Sequence, residues 1–197
     1  GADLDGATGL RFSNPGISAE VINAGERKFK VRVAGEVPAG VYEARFAGAL
    51  GFTNPRPFVV SSLAEVRSPT GNTTRETAAA LGGNSVINGT AVSRQSVWFK
   101  VAARKGQRLL LRVSAAALDS RLNPVVLLRD SAGERLARGN DAGLVDYTAA
   151  VDSECLIQIH DATYGGGTEH FFRLENSGGP HVDFVSPPVV SSFTGSE

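Results

Sequence analysis

Methionine is absent, cysteine and tryptophan occur once each, and there are three histidines. The lone Cys155 excludes an internal disulfide, and no Cys-x-x-Cys motif exists for zinc or redox chemistry. It sits in Cys155-Leu156-Ile157-Gln158-Ile159-His160, where period-two alternation puts Cys155, Ile157 and Ile159 on one face. That setting reads as a small buried core residue; a nucleophilic thiol needs a base and an electropositive surrounding. So few histidines leave few general bases, and neither Gly-x-Ser-x-Gly nor His-Glu-x-x-His occurs, so no catalytic residue is nominated and the chain is expected not to be an enzyme. Twenty Lys and Arg balance twenty Asp and Glu, so the cation excess of a nucleic-acid binder or a polybasic membrane patch is missing. No run of about 18 apolar residues exists to insert in a membrane. Aromatic residues make up only 7%, low for a carbohydrate platform, with Trp98 and Tyr164 the only candidates. A chain that opens Gly1-Ala2-Asp3 with no Met reads as a processed or excised piece of something longer.

What is plentiful is glycine, 23 residues, spaced among short apolar runs. Alternation in Phe29-Lys30-Val31-Arg32-Val33 and in Val41-Tyr42-Glu43-Ala44-Arg45-Phe46 gives strands with one wet face, and Phe58-Val59-Val60 closes the group. Breaks come at Pro38-Ala39-Gly40 and Asn54-Pro55-Arg56-Pro57. Residues 1–62 therefore form one β unit. Residues 63–75, polar and holding Pro69 and Gly71, read as a linker, and Thr77-Ala78-Ala79-Ala80-Leu81 is the single plausible helical turn.

Residues 76–177 carry six candidate strands: Trp98–Val101, Leu109–Val113, Val125–Leu128, Tyr147–Ala150, Leu156–Ile159 and Phe171–Leu174. Turns fall at Lys105-Gly106-Gln107 and Asp130-Ser131-Ala132-Gly133, and a hairpin is expected at Thr163 to Thr168. Strands at this spacing make a jelly-roll or immunoglobulin-like sandwich, with Phe99, Leu109, Leu111, Val113, Leu127, Ile157, Ile159 and Leu174 in its core. The fold class expected is all-β, two antiparallel β-sandwich domains. Residues 178–197 form a tail.

The ordered set Asn88-Gly89, Trp98-Phe99-Lys100-Val101, Lys105-Gly106-Gln107, Leu118-Asp119-Ser120-Arg121-Leu122-Asn123-Pro124, Asp130-Ser131-Ala132-Gly133, Asn140-Asp141-Ala142 and Cys155 to Asp161 resembles the bacterial pre-peptidase C-terminal domain over about half the chain. Residues 1–62 resemble part of an immunoglobulin-like module, through Pro38-Ala39-Gly40-Val41-Tyr42-Glu43-Ala44-Arg45. The resemblance implies a secreted, periplasmic or cell-surface location and a non-catalytic accessory role, with no cofactor. It also implies, in some members, calcium held by acids in the linker and before the Trp98 strand. This chain departs at both places: the linker holds one acid, Glu65, and Arg94-Gln95-Ser96-Val97 holds none. Calcium wants six to eight oxygens, several of them anionic, so no metal site is nominated.

Several residues keep two readings open. Asp119, Asp141, Asp146 and Asp161 fall at strand ends, where they cap turns or, near Asp119 or Asp141, ring a second calcium site. His160 and His170 flank the expected hairpin and with Asp161 or Glu169 make a zinc set or a surface pair. Tyr164-Gly165-Gly166-Gly167 has no helix after it to bind phosphate. Asn72-Thr73-Thr74 and Asn88-Gly89-Thr90 match the glycosylation sequon. Two roles follow: a structural and interaction segment partnered by other domains or neighbouring copies, or an accessory module that binds a carbohydrate or protein polymer. The ends suggest a third feature. The opening residues resemble the middle of a module, while Pro180-His181-Val182-Asp183-Phe184-Val185-Ser186-Pro187-Pro188 resembles the start of one. A unit lacking its first strands invites strand addition, and Val182 to about Phe193 is the candidate donor.

Overall fold

The computed structural model describes residues 7–23, 25–26, 28–48 and 51–178. The chain is all-β, and its only helical element among these residues is one 3-10 turn, Ala116–Leu118. No helix among them is long or apolar enough to cross a membrane.

Six strands come first: β1 (Ala7–Phe12), β2 (Ile17–Asn23), β3 (Lys28–Val33), β4 (Gly40–Gly48), β5 (Gly51–Phe52) and β6 (Arg56–Val60). In one sheet β4 pairs with β1, β5 and β6; β2 and β3 form a separate two-stranded sheet. β1 and β2 were not among the expected strands, although Leu10-Arg11-Phe12 and Ile17-Ser18-Ala19-Glu20-Val21 alternate. Register explains the apolar layer. Leu10 lies opposite Phe46, Phe12 opposite Ala44 and Tyr42 opposite Phe58. Phe12 meets Phe58 edge-on at 5.1 Å, and Phe29 of β3 reaches Phe46 at 5.6 Å.

Ten further strands follow: β7 (Ala64–Arg67), β8 (Ala79–Ala80), β9 (Ser85–Thr90), β10 (Val97–Ala103), β11 (Arg108–Ser114), β12 (Pro124–Arg129), β13 (Arg135–Arg138), β14 (Leu144–Thr148), β15 (Ser153–Asp161) and β16 (Phe171–Ser177). They build two five-stranded sheets, in the orders β13-β12-β15-β10-β8 and β14-β11-β16-β9-β7. Alternation drives the closure. Val97, Phe99, Val101 and Ala103 of β10, Leu109, Leu111 and Val113 of β11, and Phe172 and Leu174 of β16 all enter one buried cluster. Phe99 and Phe172 meet at 6.1 Å within it, and Cys155 lies there fully buried, as its alternation required.

Four expectations change. Leu127 is not a core residue: Val125-Val126-Leu127-Leu128 is apolar at every position, and Val126 and Leu128 are the pair that point inward, leaving Leu127 half-buried opposite Gln158. Residues 63–75 are not a plain linker, because β7 pairs in parallel with β9, and Asn72 is buried with its amide donating to the Trp98 carbonyl at 3.0 Å. The Thr77–Leu81 segment forms no helix; β8 joins β10 in parallel, and the Leu81 N–H donates to the Lys100 carbonyl. Residues 163–168 make no hairpin, since β15 and β16 belong to opposite sheets.

A truncation series separates the two faces of β12 and β15. Ile157→Ala should cost about 2–5 kcal/mol in urea unfolding, whereas Leu127→Ala should cost about 1 kcal/mol or less. Equal costs would contradict the side-chain directions given above.

Candidate interaction surfaces

The strand-end acids are dispersed, each with its own local partner or none. Asp119 takes a left-handed conformation (φ 62°) after the 3-10 turn and pairs with Arg56 of β6 at 3.0 Å, tying the first six strands to the sandwich. Asp146 on β14 receives Nε of Arg108 at 2.7 Å. Asp141 is exposed in a turn whose geometry is set by its neighbour: the Asn140 side chain accepts the N–H groups of Ala142 and Leu144, each at 3.0 Å. Among the described residues no three His, Cys, Asp or Glu side chains converge as a metal set.

Asp161 is buried and organises the crossing from β15 to β16. One oxygen accepts the Thr163 hydroxyl at 2.6 Å and the N–H groups of Thr163 and Gly165; the other accepts the Asn123 N–H at 2.9 Å. Burial alone raises the pKa of this carboxyl. The bonds from the Thr163 hydroxyl and from the Asn123, Thr163 and Gly165 amides outweigh burial and hold it well below the ordinary value of 3.8. The glycine run beside it answers to close approach. A Cβ on Gly165 would press on the His170 ring, and one on Gly166 would collide with the Ser93 backbone nitrogen. Gly167 alone of the three has positive φ, 110°.

His160 and His170 are not cross-strand neighbours: His160 lies on β15, and His170 comes just before β16, which belongs to the opposite sheet. His160 stacks on Tyr164 at 4.4 Å with its ring nearly parallel, and its Nδ1 lies 2.9 Å from the Asp161 carbonyl oxygen. Tyr164 is thus one half of an imidazole stack. Trp98, the other aromatic candidate, is only 8% exposed and lies under the guanidinium of Arg75, 5.8 Å from its centroid. Trp98 therefore makes no open sugar platform, and Tyr164, 46% exposed, has one ring face taken up by His160.

Two concavities meet beside β9 and β16. One, of about 640 Å³, lies between β6 and the sandwich and is lined by Arg56, Phe58, Glu65, Asp119, Arg121 and Arg173, among others. Its charges are mutually satisfied: the buried Arg173 pairs with Glu65 at 2.6 Å, Glu65 also accepts the Asn88 amide, and Arg121 pairs with Glu169 at 2.8 Å. Glu65, read from sequence as the one linker acid, therefore fastens β7 to its sheet. The second, of about 780 Å³, runs under the strap 67–72 and is more apolar, with Pro69, Val92, Leu118, Phe171 and Phe172 in its wall. Sequence patterning carried no signal for either, since both are made by long-range crossings.

The first six strands present a different surface. Among the described residues of this unit, only Ile17 and Val37, in the turn after β3, are buried apolar side chains. On the β2–β3 sheet, Ile17, Ala19, Val21, Phe29, Val31 and Val33 share one face by register, yet Val21 is 44% and Val33 42% exposed.

No protein-family model matches the chain, and no curated protein matches it. Among solved structures, it is similar to the pre-peptidase C-terminal domain of a Bacillus anthracis collagenase, at 12% identity over 50% of this chain and 93% of that one, with a TM-score of 0.42. It is also similar to the Aeromonas hydrophila periplasmic inhibitor of g-type lysozyme, at 12% identity over 58% of this chain and 95% of that one, with a TM-score of 0.38. Neither likeness reaches the level at which a family or an activity transfers.

Asp161 sets a pH dependence. Its folded pKa lies below its unfolded one, so its contribution is complete above about pH 5 and is lost as the pH falls through 3.8 toward the folded value. Asp161→Asn, which turns an acceptor into a donor facing N–H groups, should destabilise by about 3 kcal/mol at pH 7. The gap between the two proteins in urea melts should narrow clearly at pH 3; a gap independent of pH would mean the charge contributes nothing.

Proposed function

We propose that this chain is a non-catalytic structural and interaction segment of a larger exported protein, and that its first six strands are completed by strand addition. The observation that carries this reading is the two-stranded β2–β3 sheet, whose apolar face stays half uncovered at Val21 and Val33. Two paired strands are marginal in water, and three or more with a covered apolar face are needed for independent stability. A further strand on this sheet satisfies unpaired backbone groups at its edge, and the body that donates it brings apolar surface up to the uncovered face. The donor is a neighbouring module, a neighbouring copy or this chain's own tail, whose candidate segment, Val182 to about Phe193, lies outside the described residues.

A second reading is supported by the groove under the strap 67–72, whose mix of apolar wall and polar rim suits an extended polymer segment held by an accessory module.

Sedimentation of the full chain tests the first reading. Concentration-dependent association should occur, and Val21→Lys with Val33→Lys should abolish it while leaving the melting of the sandwich unchanged. A monomer whose β2 and β3 amides lose hydrogen-exchange protection when residues 180–197 are deleted supports donation within the chain. A monomer indifferent to that deletion overturns strand addition.

A further inference from the structure

Ion pairs cover much of this surface, but one patch of cations has none. The outer face of the β13-β12-β15-β10-β8 sheet gathers Arg75, Arg129, Arg135 and Arg138, and among the described residues no carboxylate lies within ion-pair distance of any of them. Their placement follows from register. Arg129 lies opposite Arg135 and Leu127 opposite Arg138, and the register shifts between Leu128 and Arg129. That irregularity lets Arg135 and Arg138, three residues apart, share the outer face, while Leu136 and Ala137 between them pack against the core. Arg129 is half-buried and held in place by neutral acceptors, its Nε on Gln158 at 2.9 Å and its Nη1 on the Gly133 carbonyl at 2.8 Å. Arg75 arrives from a separate segment. It lies over Trp98, donates to the Ala132 carbonyl at 3.3 Å, and crowds Gly133 from the other side. Two guanidiniums thus bracket one glycine, and a third stands opposite across the strands.

Like charges directly opposite one another on a sheet destabilise it, so this arrangement calls for a counter-charge. The acids nearby supply it only in part: the exposed Glu76 feels the charge of its neighbour Arg75 without closing an ion pair. Asp130 accepts the Glu134 N–H at 2.8 Å and keeps its charge, neither it nor the exposed Glu134 closes an ion pair among the described residues, and Glu154 pairs with Lys100 at 3.4 Å. Cations on an edge strand such as β13 also discourage sheet-to-sheet aggregation. That role accounts for Arg135 and Arg138 but not for Arg75 and Arg129, which come from other elements.

We infer that this face binds an acidic polysaccharide, its sulfate or carboxylate groups seated between Arg75, Arg129, Arg135 and Arg138. Arginine suits such oxyanions because its planar fork donates two parallel hydrogen bonds. A polymer with separated anionic groups fits better than nucleic acid. Duplex DNA carries a charge every 1.7 Å or so of its axis, and the one tryptophan on this face is closed off by Arg75, leaving no ring for base stacking.

The test uses the full chain and heparin as a sulfated probe, with polygalacturonate as a carboxylated one. Arg135→Glu with Arg138→Glu changes two exposed side chains. Arg104→Glu with Lys105→Glu applies the same charge change at the exposed turn after β10. Binding at low salt should weaken at least tenfold in the first double variant, stay within twofold in the second, and fall as salt rises. Absence of binding to both probes, equal loss in both variants, or tighter binding to single- or double-stranded DNA than to either polysaccharide would each overturn the inference.

Discussion

Everything in the larger half of this molecule depends on one apolar layer shut between two five-stranded sheets. Alternation on each strand sends Phe99, Leu111, Ile157, Ile159, Phe172 and Leu174 into it, and burial of that area is what offsets the entropy of ordering so many short strands. Once the inner set is spoken for, the outer set is free to be charged, paired or sticky. The ion pair of Glu65 with Arg173, the guanidiniums around Gly133 and the Trp98–Arg75 stack all occupy positions the core does not need.

The loops answer to a different demand, the satisfaction of buried polar groups. Asp161 shows how far one side chain reaches: four hydrogen bonds from Asn123, Thr163 and Gly165 converge on it. Without such an acceptor, the crossing from β15 to the opposite sheet would strand several N–H groups away from water. The adjacent glycines serve the same crossing by letting backbone pass against His170 and Ser93.

The strands of the sandwich were legible because period-two alternation is a local signal. Seven of its proposed core residues are buried, and Leu127 failed where Val125-Val126-Leu127-Leu128 offers no alternation to read. Pairing was not legible. Nothing near Tyr164 says whether the chain turns back into the same sheet or crosses to the other, so the local pattern reads as a hairpin with His160 and His170 facing across it. Ala64–Arg67 was hidden for a related reason: its partner, β9, lies about twenty residues away, and four exposed residues show no inward face. The arginine patch likewise needed a register shift and a loop from a distant segment, neither of which has a sequence signature.

The parallel docking of β7 has a mechanical side. Ala64 lies opposite Ser85, and Ser85 lies opposite Asn176, so the chain enters and leaves the sandwich only about two strand spacings apart, on the order of 10 Å. The sandwich therefore stands to one side of the chain's path, as a pendant rather than a bead threaded in line. Tension along that path would pull on neighbouring strand ends, opening the β7–β9 ladder one hydrogen bond at a time instead of shearing all its bonds together. Such a geometry yields at low force while the core stays shut, leaving the sandwich intact on a lengthened tether.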